Sequence, residues 1–111
     1  MRLNQAIELL QRLISTPSFS RNEDAAASII EEQFVVMGFK PHRKGNNVWA
    51  EAWACDDEKP TILLDAHIDT VKPNAAWERD PFAPTIEDGK LYGLGSNDTG
   101  GSLVAMIAAF C

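Results

Sequence analysis

A short apolar run that ends in a histidine and a carboxylate constrains this chain more than any other feature. Residues 61–66 follow Pro60 and combine β-branched and apolar side chains, which is typical of a buried strand. His67 and Asp69 stand two positions apart immediately after this run. Because side chains alternate along an extended backbone, both would lie on the same side of the chain. The sequence therefore predicts a strand end that presents an imidazole beside a carboxylate.

Two interpretations of this pair are open on the residues alone. A metal-binding imidazole usually donates its second N–H to a carboxylate, which fixes the tautomer and orientation of the ring. His67 and Asp69 have the residue types for that arrangement. Alternatively, His67 caps a strand and Asp69 begins a turn. Short motifs match many unrelated proteins, so the pair alone favours the second interpretation.

A second stretch, residues 93–101, contains four glycines and one carboxylate before an apolar run. Glycines permit close backbone approach and positive φ, and Asp98 is either a helix N-cap or a functional carboxylate. Three familiar patterns fail here. A dinucleotide loop needs glycine at Asp98, a P-loop needs lysine at Gly101, and a nucleophile elbow around Ser96 lacks both flanking glycines.

The two stretches and the residues between them resemble one family. The matching residues are His67-Ile68-Asp69-Thr70-Val71, Trp77, Asp80-Pro81-Phe82, Asp88-Gly89-Lys90-Leu91-Tyr92-Gly93-Leu94-Gly95, Asp98 and Gly100-Gly101. In this order and spacing the chain resembles the zinc aminoacylase and exopeptidase family, which includes acetylornithine deacetylase, succinyl-diaminopimelate desuccinylase, aminoacylase and the glutamate carboxypeptidases. The resemblance covers most of residues 61–110, and the preceding segment adds only a compatible order of elements.

The resemblance implies a site that holds two Zn²⁺ ions, for which Co²⁺ is a possible substitute. It implies that His67 binds one zinc, that Asp98 bridges both, and that Asp69 is the catalytic-site carboxylate behind His67. The implied reaction is hydrolysis of the amide bond of an N-acyl amino acid by zinc-activated water. Within the family, the chain resembles acetylornithine deacetylase-like members most. An exopeptidase or carboxypeptidase, a desuccinylase, a non-catalytic α/β binding module and a nucleotide-binding module remain alternatives.

Hydrophobic periodicity and turn residues predict an α/β fold. Predicted helices cover residues 3–15, 21–37 and 101–111, with a capping box of Ser20 and Glu23 opening the second helix. Predicted strands cover residues 39–42, 47–54, 61–66, 85–87 and 90–92, the last two joined by an Asp-Gly turn. The resemblance implies the N-terminal part of a three-layer α/β/α metallopeptidase catalytic domain with a mixed β-sheet.

The last predicted helix suggests that residues 1–111 are the N-terminal portion of a longer catalytic domain. Residues 103–111 are apolar on every side, and such a helix is usually buried. His67 and Asp98 also supply fewer than the three or four protein ligands that are usual for zinc. The resemblance implies that the remaining ligands, the general base and a lid or dimerisation domain lie beyond Cys111. The 111-residue portion alone is expected to be inactive.

Composition narrows the partners. The net charge of −6 argues against nucleic acid or an anionic membrane as a partner. Cys55 and Cys111 form no CxxC pattern and suggest no disulfide framework. The sequence has neither a signal-peptide core nor a run as long as a membrane span, so the expected compartment is the cytoplasm. The expected partner is a small N-acyl amino acid, and the resemblance makes a homodimer possible for the intact enzyme.

Overall fold

The computed structural model describes residues 1–52 and 56–111, which form three α-helices and two β-hairpins. The helices are α1 (Leu3–Ile14), α2 (Asp24–Val36) and α3 (Gly101–Phe110). Strand β1 (His42–Lys44) pairs antiparallel with β2 (Asn47–Trp49), and β3 (Thr85–Glu87) pairs antiparallel with β4 (Lys90–Tyr92). A wide helical turn, Ser96–Gly100, leads into α3.

The hydrophobic core lies between the three helices. The predicted first helix is confirmed, and Leu3 at its start is 79% exposed. The core residues that the helices share are Ala6, Leu9, Leu10, Ile14, Ile30, Phe34, Leu103, Val104 and Ile107. Leu9 is the largest of the fully buried side chains, so α1 is the central element of this core.

Helix α3 is confirmed, but its expected burial on every side is wrong for the described residues. Leu103, Val104 and Ile107 pack into the core, whereas Ala105 and Ala109 are exposed. The face of α3 that carries Ala105 and Ala109 is exposed because no other described element covers it. Among residues 1–52 and 56–111, no helix has the length and apolar character needed to cross a membrane.

The predicted capping box at the start of α2 is wrong. Arg21 has a φ of 74°, so the helix cannot begin there, and α2 starts at Asp24 instead. The Glu23 carboxylate accepts a hydrogen bond from the Arg21 backbone N–H at 2.6 Å, while the Ser20 hydroxyl bonds far along the chain to Asp69. Ser20 thus belongs to a long-range contact that no local pattern could reveal.

The second predicted hairpin is confirmed, whereas the first is present with a displaced first strand, which shares only His42 with the predicted residues 39–42, and a shorter second strand. Asp88 and Gly89 have φ values of 51° and 73°, as a two-residue type I′ turn requires. In the first hairpin the strands are His42–Lys44 and Asn47–Trp49. The end of its predicted second strand, at Trp53 and Ala54, lies outside the described residues, as does Cys55.

The prediction of a buried strand over residues 61–66 is wrong for this structure. The segment forms no strand, and Ile62 and Leu63 are each 83% exposed. A strand needs a neighbour that supplies hydrogen-bond partners, and apolar patterning alone does not provide one. The described strands form two separate antiparallel pairs. They are compatible with an α/β portion of a larger domain, but they do not form the expected mixed sheet or three layers.

Candidate metal centre

The site predicted from the sequence comes together at the end of the exposed segment. His67 Nε2 lies 3.0 Å from Asp98 Oδ1, although the two residues are 31 positions apart. On the other side of the ring, His67 Nδ1 lies 3.0 Å from the Asp69 backbone oxygen and 3.3 Å from Asp69 Oδ1. The structure therefore places the three residues as the sequence predicted, and their metal-binding and catalytic roles stay predictions.

The turn Ser96–Gly100 holds Asp98 in an unusual backbone conformation. Its φ and ψ of −118° and 90° are not helical, and the peptide bond between Asp98 and Thr99 is cis. Gly95 opens the turn at a φ of 78°, and its carbonyl accepts a 2.8 Å hydrogen bond from the Gly100 N–H. The residue that caps α3 is Gly100. Asp98 is therefore not a helix cap, and its carboxylate is directed to His67.

The loop after α1 holds the segment that carries His67. The Ser18 carbonyl accepts a 2.7 Å hydrogen bond from the Thr70 N–H, and the Ser18 hydroxyl donates a 2.8 Å hydrogen bond to the Ile68 carbonyl. The Ser20 hydroxyl donates a 2.6 Å hydrogen bond to Asp69 Oδ2. Ser18 is 4% exposed, so its bonds are shielded from water. Sequence analysis missed both serines because their partners lie about fifty positions away.

The two carboxylates favour a protonated His67 when no cation is bound. Burial alone would lower the His67 pKa, but the bond to the Asp69 carbonyl, the bond to Asp98 and the two negative charges together raise it. The Asp69 pKa is lowered, first by the Ser20 hydrogen bond and then by the charge of His67. Since carbonyl and carboxylate oxygens only accept hydrogen bonds, a proton on each ring nitrogen satisfies both contacts.

The separation of His67 Nε2 and Asp98 Oδ1 is compatible with one metal ion bound to both atoms in place of the proton. A nitrogen and an oxygen that bind one zinc at about 2.0–2.2 Å lie about 3.0–3.4 Å apart at ordinary ligand angles, and the observed separation is 3.0 Å. In a neutral ring, the hydrogen bond from Nδ1 to the Asp69 carbonyl places the proton on Nδ1, so Nε2 has a free lone pair that can bind a metal. The Asp98 side chain is 88% exposed, so its carboxylate is accessible to a second metal ion.

The described residues supply only part of a complete coordination shell. Within residues 1–52 and 56–111, no group of three or more histidine, cysteine, aspartate or glutamate side chains converges on one point. His67 and Asp98 therefore form a two-donor partial site, with Asp69 one step further out. Such a site fits a metal centre to which other residues contribute.

A comparison with known protein families gives a match over the segment that carries the candidate site. Residues 63–111 match the family described as Peptidase family M20/M25/M40. The matched segment contains His67, Asp69 and Asp98, together with the second hairpin and α3. This segment is therefore similar to members of that peptidase family. Members of this family are generally metal-dependent.

Proposed function

We propose that this chain contributes the first part of the active site of a metal-dependent hydrolase that cleaves the amide bond of N-acyl amino acids. The observation that carries the proposal is the 3.0 Å approach of His67 Nε2 to Asp98 Oδ1. It is supported by the position of Asp69 on the opposite ring nitrogen and by the peptidase family match over the same residues. Among such hydrolases, we prefer one that resembles acetylornithine deacetylase.

The three side chains have distinct roles in this proposal. A neutral His67 would hold the metal through the lone pair of Nε2, and Asp98 would hold one or two zinc ions through its carboxylate oxygens. Asp69 holds the His67 ring through Nδ1 and so keeps Nε2 as the free donor. When bound, the metal would polarise the scissile carbonyl and lower the pKa of a water molecule.

We also propose that the remaining metal ligands and the general base come from residues outside this 111-residue sequence. Two protein donors are fewer than the three or four that zinc usually takes. The exposed apolar side chains of Ile62 and Leu63 support the same proposal, because further elements of a larger domain would cover them. In the proposed complete domain, a mixed β-sheet lies between layers of helices.

The proposal is tested by substitution in the protein encoded by the complete gene. His67→Ala and Asp98→Ala should each abolish metal-dependent hydrolysis of N-acyl amino acids, because each removes a donor to the metal. Asp69→Asn should reduce metal affinity or turnover by about 10–100-fold, as expected for a residue that orients a ligand. Activity and metal content, measured by plasma mass spectrometry, should be determined on the same samples.

His42→Ala is the matched control, because it removes the only other histidine of this sequence. The His42 ring stacks on Trp49 in the first hairpin, with ring centroids 5.4 Å apart. Its removal should leave metal content and activity unchanged. Full metal-dependent turnover by Asp98→Ala would show that the bridging role belongs to another residue. Full turnover by His67→Ala would refute the metal centre.

A further inference from the structure

We propose that Ser20 is a positioning residue, which fixes the Asp69 carboxylate against His67 and thereby orients the candidate metal ligand. This inference rests on the proposed function for its consequence, but its geometric part stands independently. The Ser20 hydroxyl donates a hydrogen bond to Asp69 Oδ2 at 2.6 Å, while Asp69 Oδ1 lies 3.3 Å from His67 Nδ1. The two oxygens of one carboxylate thus connect the serine to the imidazole.

The hydrogen bond from Ser20 is of the strong type. A separation of 2.5–2.7 Å is typical of a hydroxyl that donates to a carboxylate, and the Asp69 side chain is only partly exposed, at 38%. An aspartate at such a site can otherwise rotate about both of its side-chain bonds. Oδ1 faces His67 only in a limited range of these rotations. Among the described residues, Ser20 is the side chain that restrains Asp69 Oδ2.

The surrounding loop explains why Ser20 can perform this role. Phe19 forms an isolated parallel bridge with Thr70, and the two Ser18 hydrogen bonds hold the backbone on either side of Asp69. Ser18 and Phe19 therefore align the two segments, whereas Ser20 reaches the functional carboxylate itself. Removal of the Ser20 hydroxyl should release the carboxylate and leave the backbone alignment in place.

The experiment compares Ser20→Val with Ser20→Thr, which have nearly the same shape and differ in the hydroxyl. NMR of the metal-free 111-residue chain reports the Asp69 side-chain rotamer through three-bond couplings and the His67 ring through its nitrogen shifts. The wild type and Ser20→Thr should show one Asp69 rotamer. Ser20→Val should show averaged Asp69 couplings and shifted His67 ring signals, with an unchanged backbone spectrum elsewhere.

Two further variants show whether Ser20 acts through Asp69. Ser15→Val removes a hydroxyl that donates only to the Gln11 carbonyl of α1, so it should leave Asp69 and His67 signals unchanged. In an Asp69→Ala background, Ser20→Val should cause no additional change at His67. Unchanged Asp69 couplings in Ser20→Val would overturn the proposal, and so would an additional His67 shift in the Asp69→Ala background.

A Zn²⁺ titration of the same variants, made in the protein encoded by the complete gene, distinguishes this inference from the proposed function. Half-saturation of the His67 signals should require more Zn²⁺ in Ser20→Val than in Ser20→Thr. If Zn²⁺ does not interact with His67 but the Asp69 couplings still depend on Ser20, the proposed function fails and the positioning role stands. If Zn²⁺ interacts with His67 equally in both variants and the couplings do not differ, the positioning role fails alone.

Discussion

Replacement of Gly100 by alanine should destabilise the fold and displace Asp98, whereas the same replacement at the adjacent Gly101 should be tolerated. Both residues have helical backbone angles, with φ and ψ of −53° and −45° at Gly100 and −60° and −46° at Gly101. Alanine therefore suits the backbone at both positions, and it has a higher helix propensity than glycine by about 1 kcal/mol. Only the space available to a methyl group differs.

The structure gives the size of that difference. A Cβ at Gly100 would lie 2.6 Å from the Gly95 carbonyl oxygen and 2.6 Å from Leu10 Cδ1, whereas at Gly101 the nearest atom is the Ser96 carbonyl oxygen at 3.0 Å. Because Cβ atoms essentially never approach closer than 3.0 Å, relief at Gly100 requires a shift of at least about 0.4 Å. The Gly95 carbonyl cannot move freely, since it accepts the Gly100 N–H.

The expected cost of Gly100→Ala is about 1–3 kcal/mol of unfolding free energy, the usual range for overpacking, partly offset by the gain in helix propensity. A net loss of 1 kcal/mol would lower Tm by about 4–8 °C in a domain of this size. Gly101→Ala should lie within about 1 kcal/mol of the wild type. Urea unfolding followed by circular dichroism measures both variants under the same conditions.

The same shift has a consequence for the site. The turn that contains Gly95 and Gly100 also holds Asp98, and metal ligands tolerate displacements of only about 0.2 Å. Gly100→Ala should therefore weaken the metal-dependent activity of the complete protein more than Gly101→Ala does. Equal unfolding free energies for the two variants would refute the steric argument. Unchanged His67 ring signals in Gly100→Ala would refute its extension to Asp98.

Two further predictions follow from the ion pairs. In the metal-free chain the His67 pKa should lie above its ordinary value, and Asp98→Asn should lower it, as measured by NMR titration. Because the folded-state pKa is the higher one, the resulting stabilisation should be fully present below the unfolded-state pKa and lost as pH rises through the folded-state value. Arg43→Met should destabilise the fold by about 1–3 kcal/mol in urea unfolding, because Arg43 donates to Glu31, to Ser28 and to backbone carbonyls. Arg12→Met, which removes a pair with Glu32 whose members are 50% and 66% exposed, should cost at most about 1 kcal/mol.

Local chemistry in the sequence was sufficient for the helices and hairpins. The periodic apolar residues of α1 predict its bounds because burial along one face follows the helical repeat. Asp88-Gly89 predicts its turn because few other residue pairs adopt positive φ at both positions. The order of His67, Asp69 and Asp98 also indicated the candidate site before any distance was known, through its resemblance to a family with a defined spacing.

Only the tertiary structure decided how the site is held and which segments are paired. Ser20 has the local sequence of a helix cap, yet its hydroxyl bonds to Asp69, because the loop after α1 lies against residues 67–70 in space. Residues 61–66 have the composition of a buried strand, yet they form no strand, and residues 61–65 are exposed. Helices and tight turns satisfy their backbone hydrogen bonds locally, so a sequence window contains the information that specifies them. Strands and long-range hydrogen bonds take their partners from distant residues, and no local window contains that information.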